Sequence, residues 1–311
     1  MTVTVPSFNP ILFEGLSTDT KPDTWAAPGQ PLQATPARSN FIETDTGDEY
    51  HYSGSAWVKH KDNGSIYSVD LDHRLEIPKG GIPGSSGVNK FGRNTNVASG
   101  ATEEIWDGSA SYVFPATALM TSISQTTDQT AMRGATIEVE GLDASWDAVT
   151  QNAVLDGTLT TNVVTLTTPL IRCFRMRVLA DVVSTSPIRV HNAGETQDYA
   201  IIDTGNNQTL MAVYTVPNGK TAFMTCYYAH HNPATNQDPT SNPVTLWFRD
   251  NDNGYEAQIK NVVGLPNAGG FQHFFDPYIK ITQKSDVFIK ASPVGKAADV
   301  SAGFDLVLVD N

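Results

Sequence analysis

The chain has 311 residues, of which 40% are hydrophobic and 17% charged, and its formal net charge is −13. The hydrophobic content suffices for folded cores and excludes general disorder. The negative charge, without any run of basic residues, argues against a nucleic-acid partner bound through its phosphates. There is no membrane-length apolar run and no signal-peptide pattern, so we expect synthesis in the cytoplasm and no membrane insertion.

The first forty residues read as an extended arm. Six prolines recur across residues 1–40 and nearly exclude a helix. The segment also carries large apolar side chains that a solitary arm would expose: Phe8, Ile11, Leu12, Phe13 and Trp25. We therefore predict that these five side chains anchor the arm on a partner surface, which would offset the entropy lost on ordering. A disordered tail is the alternative.

Residues 41–77 show the pattern of a small β-module. Apolar and polar residues alternate, and glycine-containing turns at residues 45–48 and 53–55 separate the alternating stretches, which is typical of hairpins. Residues 78–90 combine four glycines with two prolines and are predicted to form a linker.

Strand patterns dominate from residue 91 to the end. Turn signals at residues 217–220, 250–254 and 283–286 separate alternating stretches and favour antiparallel hairpins. We predict an all-β protein in which the arm and the small β-hairpin module precede one or two antiparallel, jelly-roll-like β-sandwiches. The two-sandwich division places one at 91–184 and the other at 185–311. A helical turn is plausible only at residues 129–133.

Residues capable of chemistry have structural explanations. Cys173 and Cys226 lie among alternating apolar residues, as separate buried thiols do, although a disulfide stays open. The run Asp250–Gly254 lacks the spacing of a calcium loop and favours a turn. His230 and His231 are adjacent, so in a strand they would face opposite sides and could not chelate one ion together. No catalytic motif occurs, and we predict no catalytic residue, no metal, no cofactor and no enzymatic activity.

Two parts of the sequence resemble phage proteins. Residues 41–57 are similar to a short module that recurs in phage fibre, neck and capsid-associated proteins. Residues 89–311 resemble a family of virion structural proteins common in tailed phages of marine and freshwater bacteria. The motifs that carry the second resemblance are Asn89–Asn94, Glu104–Gly108, Tyr112–Pro115, Glu138–Asp143, Tyr214–Met224 and Lys280–Asp286.

The resemblance implies a non-enzymatic structural role on the virion, as a capsid decoration or head-fibre protein. The implied partners are further copies of the chain, most simply a homotrimer, and the major capsid or other virion proteins reached through the arm. One rival hypothesis is a tail-fibre receptor-binding protein whose distal loops, including residues 229–242, contact host glycans. A fibre-borne depolymerase is the second rival, since paired carboxylates have no sequence signature.

Overall fold

The computed structural model describes residues 12–26, 31–61, 73–108, 110–232, 238–266 and 268–311. The chain divides into two compact units after Gly81. The described regular structure of both is almost all β, as the alternating sequence pattern predicts. No helix in the described ranges is long and apolar enough to cross a membrane.

The first unit contains a four-stranded sheet in the order β1-β4-β5-β6, together with a two-stranded ribbon, β2-β3. The predicted hairpins β4-β5 and β5-β6 are present, and β1, from the predicted arm, adds to the sheet in parallel with β4. The bounds are β1 Leu12–Gly15, β2 Thr24–Trp25, β3 Gln33–Ala34, β4 Asn40–Glu43, β5 Glu49–Tyr52, β6 Trp57–Lys61 and helix α1 His73–Glu76.

The second unit is a jelly roll with another sandwich inserted into it. Its strands are β7 Ser85–Val97, β8 Glu103–Glu104, β9 Met120–Gln125, β10 Thr136–Leu142, β11 Ala148–Val154, β12 Val164–Leu170, β13 Arg172–Val178, β14 Ile188–His191, β15 Asp198–Ile202, β16 Val213–Thr215, β17 Lys220–Asn232, β18 Pro243–Asp250, β19 Gln258–Gly264, β20 Gly270–Ile281, β21 Ser285–Ala291 and β22 Ala298–Asp310. The predicted helical turn appears as a 3-10 turn at Thr130–Met132.

The jelly roll consists of two sheets ordered β20-β17-β22-β7 and β16-β21-β18-β19. With β8 and β16 counted as one interrupted strand, the jelly roll has eight strands. Numbered along the chain, they are ordered first-eighth-third-sixth in one sheet and second-seventh-fourth-fifth in the other, which is the double Greek key of a jelly roll. Alternate residues of β17 and β22 face inward and fill the core between the sheets; Met224, Tyr227, Phe304 and Leu306 are among them. The strand β22 lies between β17 and β7 and pairs with both along its length.

The insertion interrupts one strand of the jelly roll. Strands β8 and β16 both pair with β21, one after the other and in the same direction, although about a hundred residues separate them in sequence. The chain leaves and returns through a two-stranded neck in which the Ala212 amide donates to the Ile105 carbonyl at 2.8 Å. Trp106 and Met211 form a bridge in the same neck. The inserted sandwich is therefore connected to the jelly roll covalently through one pair of adjacent chain segments.

The inserted sandwich has sheets ordered β12-β9-β14-β15 and β11-β10-β13. The inward-facing residues of these strands form a second core, which includes Ile123, Ile137, Val139, Met176 and Val190. Each sheet buries one face against the other, as expected for antiparallel strands that alternate apolar and polar residues.

Strand pairing places the boundaries elsewhere than predicted. The division at 184/185 falls inside the inserted sandwich, because β14 and β9, on either side of it, are partners. The predicted linker at 78–90 overlaps the jelly roll, since β7 begins at Ser85 and pairs along β22. The arm at 1–40 likewise contributes β1 to the small module. Each correction follows from long-range partners that local glycine and proline patterns do not encode.

Candidate functional site

One face of the first unit's sheet is open to solvent. Directly paired residues share a face of a sheet, and the row Leu12, Asn40, His51 and Val58 crosses all four strands. Leu12 is 57% exposed and Val58 is 55% exposed. We call this row the open face. Of the predicted anchoring residues, Leu12 lies here.

The opposite face holds an aromatic cluster and is covered. Trp57 makes edge contacts with Phe13 at 5.8 Å and with Phe41 at 6.0 Å between ring centroids. The Lys21 ammonium lies 3.8 Å above the centre of the Tyr50 ring. The predicted anchor Phe13 is thus packed in the unit's own core and already has a partner within the chain.

The remaining predicted anchors are distributed differently. Trp25 lies in β2, half-buried, where its strand pairs with β3. Phe8 and Ile11 lie outside the described residues. The structure therefore brings Phe13 into a cluster, leaves Leu12 on the open face, and does not unite the five residues into one surface.

A buried charge network joins the inserted sandwich to the jelly roll. Arg172, the first residue of β13, donates from Nε to Oδ1 of Asp286 at 2.8 Å and from Nη2 to Oδ2 at 3.0 Å. Arg249 adds a donor to Oδ2 at 3.0 Å, and the Thr215 hydroxyl donates to Oδ1 at 2.6 Å. Asn251 contributes a further donor at 2.9 Å. Asp286 therefore accepts hydrogen bonds from four side chains.

Charge balance explains why an acidic side chain is tolerated at this depth. Burial disfavours the ionised form of Asp286, but the charges and hydrogen bonds of Arg172 and Arg249 outweigh it and hold the pKa of Asp286 below its ordinary value. The guanidinium of Arg172 also lies over the rings of Trp146, at 4.9 Å, and Phe114, at 5.4 Å. The network fixes the first residue of β13 against the jelly roll.

The first jelly-roll strand, β7, also contacts the inserted sandwich. We call this contact, together with the network around Arg172 and Asp286, the junction. Lys90 is buried in β7, and its ammonium nitrogen donates to the carbonyl oxygen of Phe174 in the inserted sandwich. Burial and, to a smaller extent, the nearby charge of Arg175 lower the pKa of Lys90 to about 7. A Cβ at position 92 would stand 2.3 Å from the Ala212 amide nitrogen in the neck, so only glycine fits there.

Some of the residues that carry the resemblance to phage proteins lie at this junction. Lys90 and Gly92 belong to the Asn89–Asn94 motif, and Asp286 ends the Lys280–Asp286 motif. The sequence reading assigned Asp286 to a turn and missed Arg172 and Lys90. The available signal was a charged residue within an apolar strand, as in the run Leu170–Phe174, because burying a charge requires a partner.

Other sequence predictions concern isolated side chains. Cys173 and Cys226 are separate buried thiols, as predicted, and burial raises their pKa values to about 12 and about 11. The run Asp250–Gly254 is the predicted turn of the β18-β19 hairpin, with Gly254 at φ 66°. His230 is exposed and His231 buried, so they face opposite sides of β17. Within the described ranges, no three His, Cys, Asp or Glu side chains cluster closely enough to hold a metal ion.

The fold and the junction define a jelly-roll protein with an inserted β-sandwich. No family model matches the chain, and no curated protein matches it. Two solved virus structures overlap with it weakly. The structure of the infectious bursal disease virus Gt strain has 13% identity over 74% of each chain, with a TM-score of 0.22. The VP2 subviral particle of infectious bursal disease virus has 8% identity and a TM-score of 0.19, and the overlap covers 88% of this chain and 63% of that one. These overlaps are too slight to support an argument about function.

Proposed function

We propose that the chain is a non-enzymatic structural protein of a tailed-phage virion, made in the host cytoplasm and displayed on the particle as a capsid decoration or head fibre. The observation that carries the proposal is the strand order β20-β17-β22-β7 over β16-β21-β18-β19. Jelly rolls of this order build viral capsids, although lectins and cupins use the fold as well. The phage-like motifs favour the virion, since a fold alone does not specify a function.

The proposed mechanism is binding and assembly. In this proposal the jelly roll is the rigid platform and the inserted sandwich is its projecting part. The two are locked by the ion pair between Arg172 and Asp286, both of which are almost fully buried. The open face, with Leu12 and Val58 exposed, is the surface we assign to the capsid or another virion protein. Copies of the chain associate around a rotation axis, most simply as a trimer, because closed rings are the usual symmetry of homo-oligomers.

Immunogold labelling and cryo-EM of purified particles test this proposal. Antibody against the chain should label intact virions at regular positions, and density of the jelly roll should repeat on the head. A host-cell lysate with labelled protein but unlabelled particles would contradict the virion role. Label confined to the tail tip would favour the second candidate function.

That second candidate is a receptor-binding protein that contacts host glycans. A shallow groove of about 610 Å³ is lined by Tyr228 and His230 of β17 and by Phe271 and Gln272 of β20, the outer strand beside it. Aromatic rings beside amide and imidazole donors suit a sugar, which presents apolar C–H faces and hydroxyl groups. Binding of host surface polysaccharide by the purified protein, lost in Phe271→Ala, would support this candidate over decoration.

A further inference from the structure

A second groove lies where the two jelly-roll sheets end on the same side. Strands β19 and β20 are outer strands of the two sheets, and the groove runs between them with a volume of about 280 Å³. Gln258 and Lys260 line it from β19, and Ile279 and Ile281 line it from β20. It shares no lining residue with the groove at Tyr228. We call it the intersheet groove.

The end of the intersheet groove at the β18-β19 turn carries oxygen atoms that are already held in place. Oδ1 of Asp250 accepts from the backbone amide of Asn253 at 3.0 Å, and Oδ2 accepts from the side-chain amide of Asn253 at 2.8 Å. The Thr282 hydroxyl lies 3.4 Å from Oδ2 of Asp250 and 3.0 Å from the Ser285 hydroxyl. Groups that are fixed before a ligand arrives lose little entropy when it binds.

The charges that border the intersheet groove cancel. Asp250 and Glu256 line it together with Lys260 and Lys280, so neither a cation nor an anion is favoured as the ligand. The Lys260 ammonium nitrogen donates to Oε1 of Gln258 at 2.9 Å. Within the described parts of the chain, no ion pair joins Glu256 or Lys260 to any residue. Opposite charges that border one groove without meeting leave space for a ligand between them.

The chemistry of the lining matches a sugar. A hydroxyl group donates and accepts hydrogen bonds, so neighbouring hydroxyls of one pyranose can accept from Lys260 and donate to Glu256. Tyr255 is 58% exposed, and its ring contacts no other ring among the described residues. Together with Ile279 it offers apolar surface to the C–H face of a sugar. The groove is slightly smaller than the about 300–1,000 Å³ that holds a drug-sized ligand, which corresponds to a single sugar unit.

We propose that the intersheet groove binds a single neutral pyranose unit. In this arrangement the Tyr255 ring stacks on the sugar, while Glu256 and Lys260 form hydrogen bonds with its hydroxyl groups. The inference goes beyond the proposed assembly role and does not depend on it. It also concerns a different site from the groove at Tyr228 and Phe271, so variants can address the two grooves separately.

Saturation-transfer NMR with the full chain tests the inference. The probes are the methyl α-pyranosides of glucose, galactose and mannose at millimolar concentration, with L-alanine as a small zwitterion for comparison. We expect saturation transfer to at least one pyranoside, with an affinity about tenfold weaker in Tyr255→Ala and in Glu256→Gln. Tyr255→Phe keeps the aromatic ring and should bind nearly as well as the wild type.

Two control variants make the same chemical changes elsewhere. Phe274→Ala removes an aromatic ring that is 67% exposed, and Asp181→Asn neutralises an exposed carboxylate. Neither residue lines either groove, so both variants should keep the wild-type affinity. Equal melting temperatures would show that all the variants fold.

Three outcomes would overturn the inference. They are the absence of transfer to all three pyranosides, transfer to L-alanine alone, and sugar binding that Tyr255→Ala and Glu256→Gln leave unchanged. Each of them would leave the virion proposal intact. Unlabelled particles in the immunogold experiment would reject the virion proposal instead, without bearing on the intersheet groove.

Discussion

Arg172 of the inserted sandwich and Asp286 of the jelly roll form a two-point ion pair, with N–O distances of 2.8 and 3.0 Å. Their side chains are 3% and 0% exposed. The pair joins the two sandwiches where their cores also share side chains, since Ile171 and Phe174 of the insertion pack in the jelly-roll core. Burying two charges costs solvation energy that well-aligned hydrogen bonds offset, which makes such a pair more a means of orientation than of net stability.

Removing the carboxylate should destabilise the second unit. Asp286→Asn leaves the buried guanidinium of Arg172 and the partly buried one of Arg249 without a counter-charge, and we expect a loss of about 3–5 kcal/mol in unfolding free energy. Unfolding in denaturant measures this loss of free energy. Asp252→Asn is the matched control, because its ion pair with Lys284 is exposed and should change stability by about 0–1 kcal/mol.

Because the pKa of Asp286 is lowered in the fold, we expect the protein to lose stability in acid. The folded-state pKa of Asp286 lies below its ordinary value of 3.8, so its contribution is present above that value and disappears as the pH falls through the folded-state pKa. The stability gap between wild type and Asp286→Asn should stay constant from pH 7 to about pH 5 and shrink at lower pH. A gap that widens on acidification would contradict this assignment.

The buried Lys90 should make stability depend on pH in the alkaline range as well. Its pKa is about 7 in the folded protein and 10.5 ordinarily, so between these values the unfolded chain binds one more proton and stability rises with pH. Between pH 7.5 and 9 the wild type should gain about 1 kcal/mol per pH unit relative to Lys90→Met. Other titrating groups are common to both proteins and cancel in the comparison. Parallel stability curves would show that Lys90 is charged in the fold.

Truncation should separate the two units and locate the start of the jelly roll. A chain of residues 82–311 keeps all of β7 and should be soluble, rich in strands and cooperative in melting, because it retains both cores. A chain of residues 91–311 lacks the part of β7 that pairs with residues 304–309 of β22, and it lacks Lys90. We expect its melting temperature to be lower by about 10 °C, which corresponds to several kcal/mol in a unit of this size.

The variants Leu12→Ala and Phe13→Ala should have different effects on stability and attachment, although the two residues are neighbours in sequence. Leu12→Ala on the open face should leave the melting of the first unit nearly unchanged and weaken attachment to particles by about 1–2 kcal/mol. Phe13→Ala removes a ring from the Trp57 cluster and should lower the unit's stability by about 1–3 kcal/mol. Circular dichroism melts and occupancy on particles that lack the wild-type copy provide the two measurements. Normal occupancy of Leu12→Ala would place the attachment elsewhere.

Only part of the candidate site was predictable from sequence. Alternation along 220–228 and 304–309 marked the strands that form the jelly-roll core, and Gly254 marked the β18-β19 turn. The junction was not predictable, because Arg172 and Asp286 are 114 residues apart. The apolar run around Arg172 indicates that its charge is buried, but it does not identify the distant partner. The insertion was hidden for the same reason, since β8 and β16 become one interrupted strand only through β21.

The turns show the difference between what the sequence predicts and what it does not: their positions were predictable, but the pairing of the strands on either side was not. Residues 217–220, 250–254 and 283–286 all carry turn residues, and each was predicted to close a hairpin. Only the second does: β16 and β17 lie in different sheets, and so do β20 and β21. The sequence by itself determined strand content, turn positions and inward-facing residues, because these depend on a few neighbouring side chains. Strand pairing was decided by the tertiary structure, in which each strand buries its apolar face against partners distant in the chain.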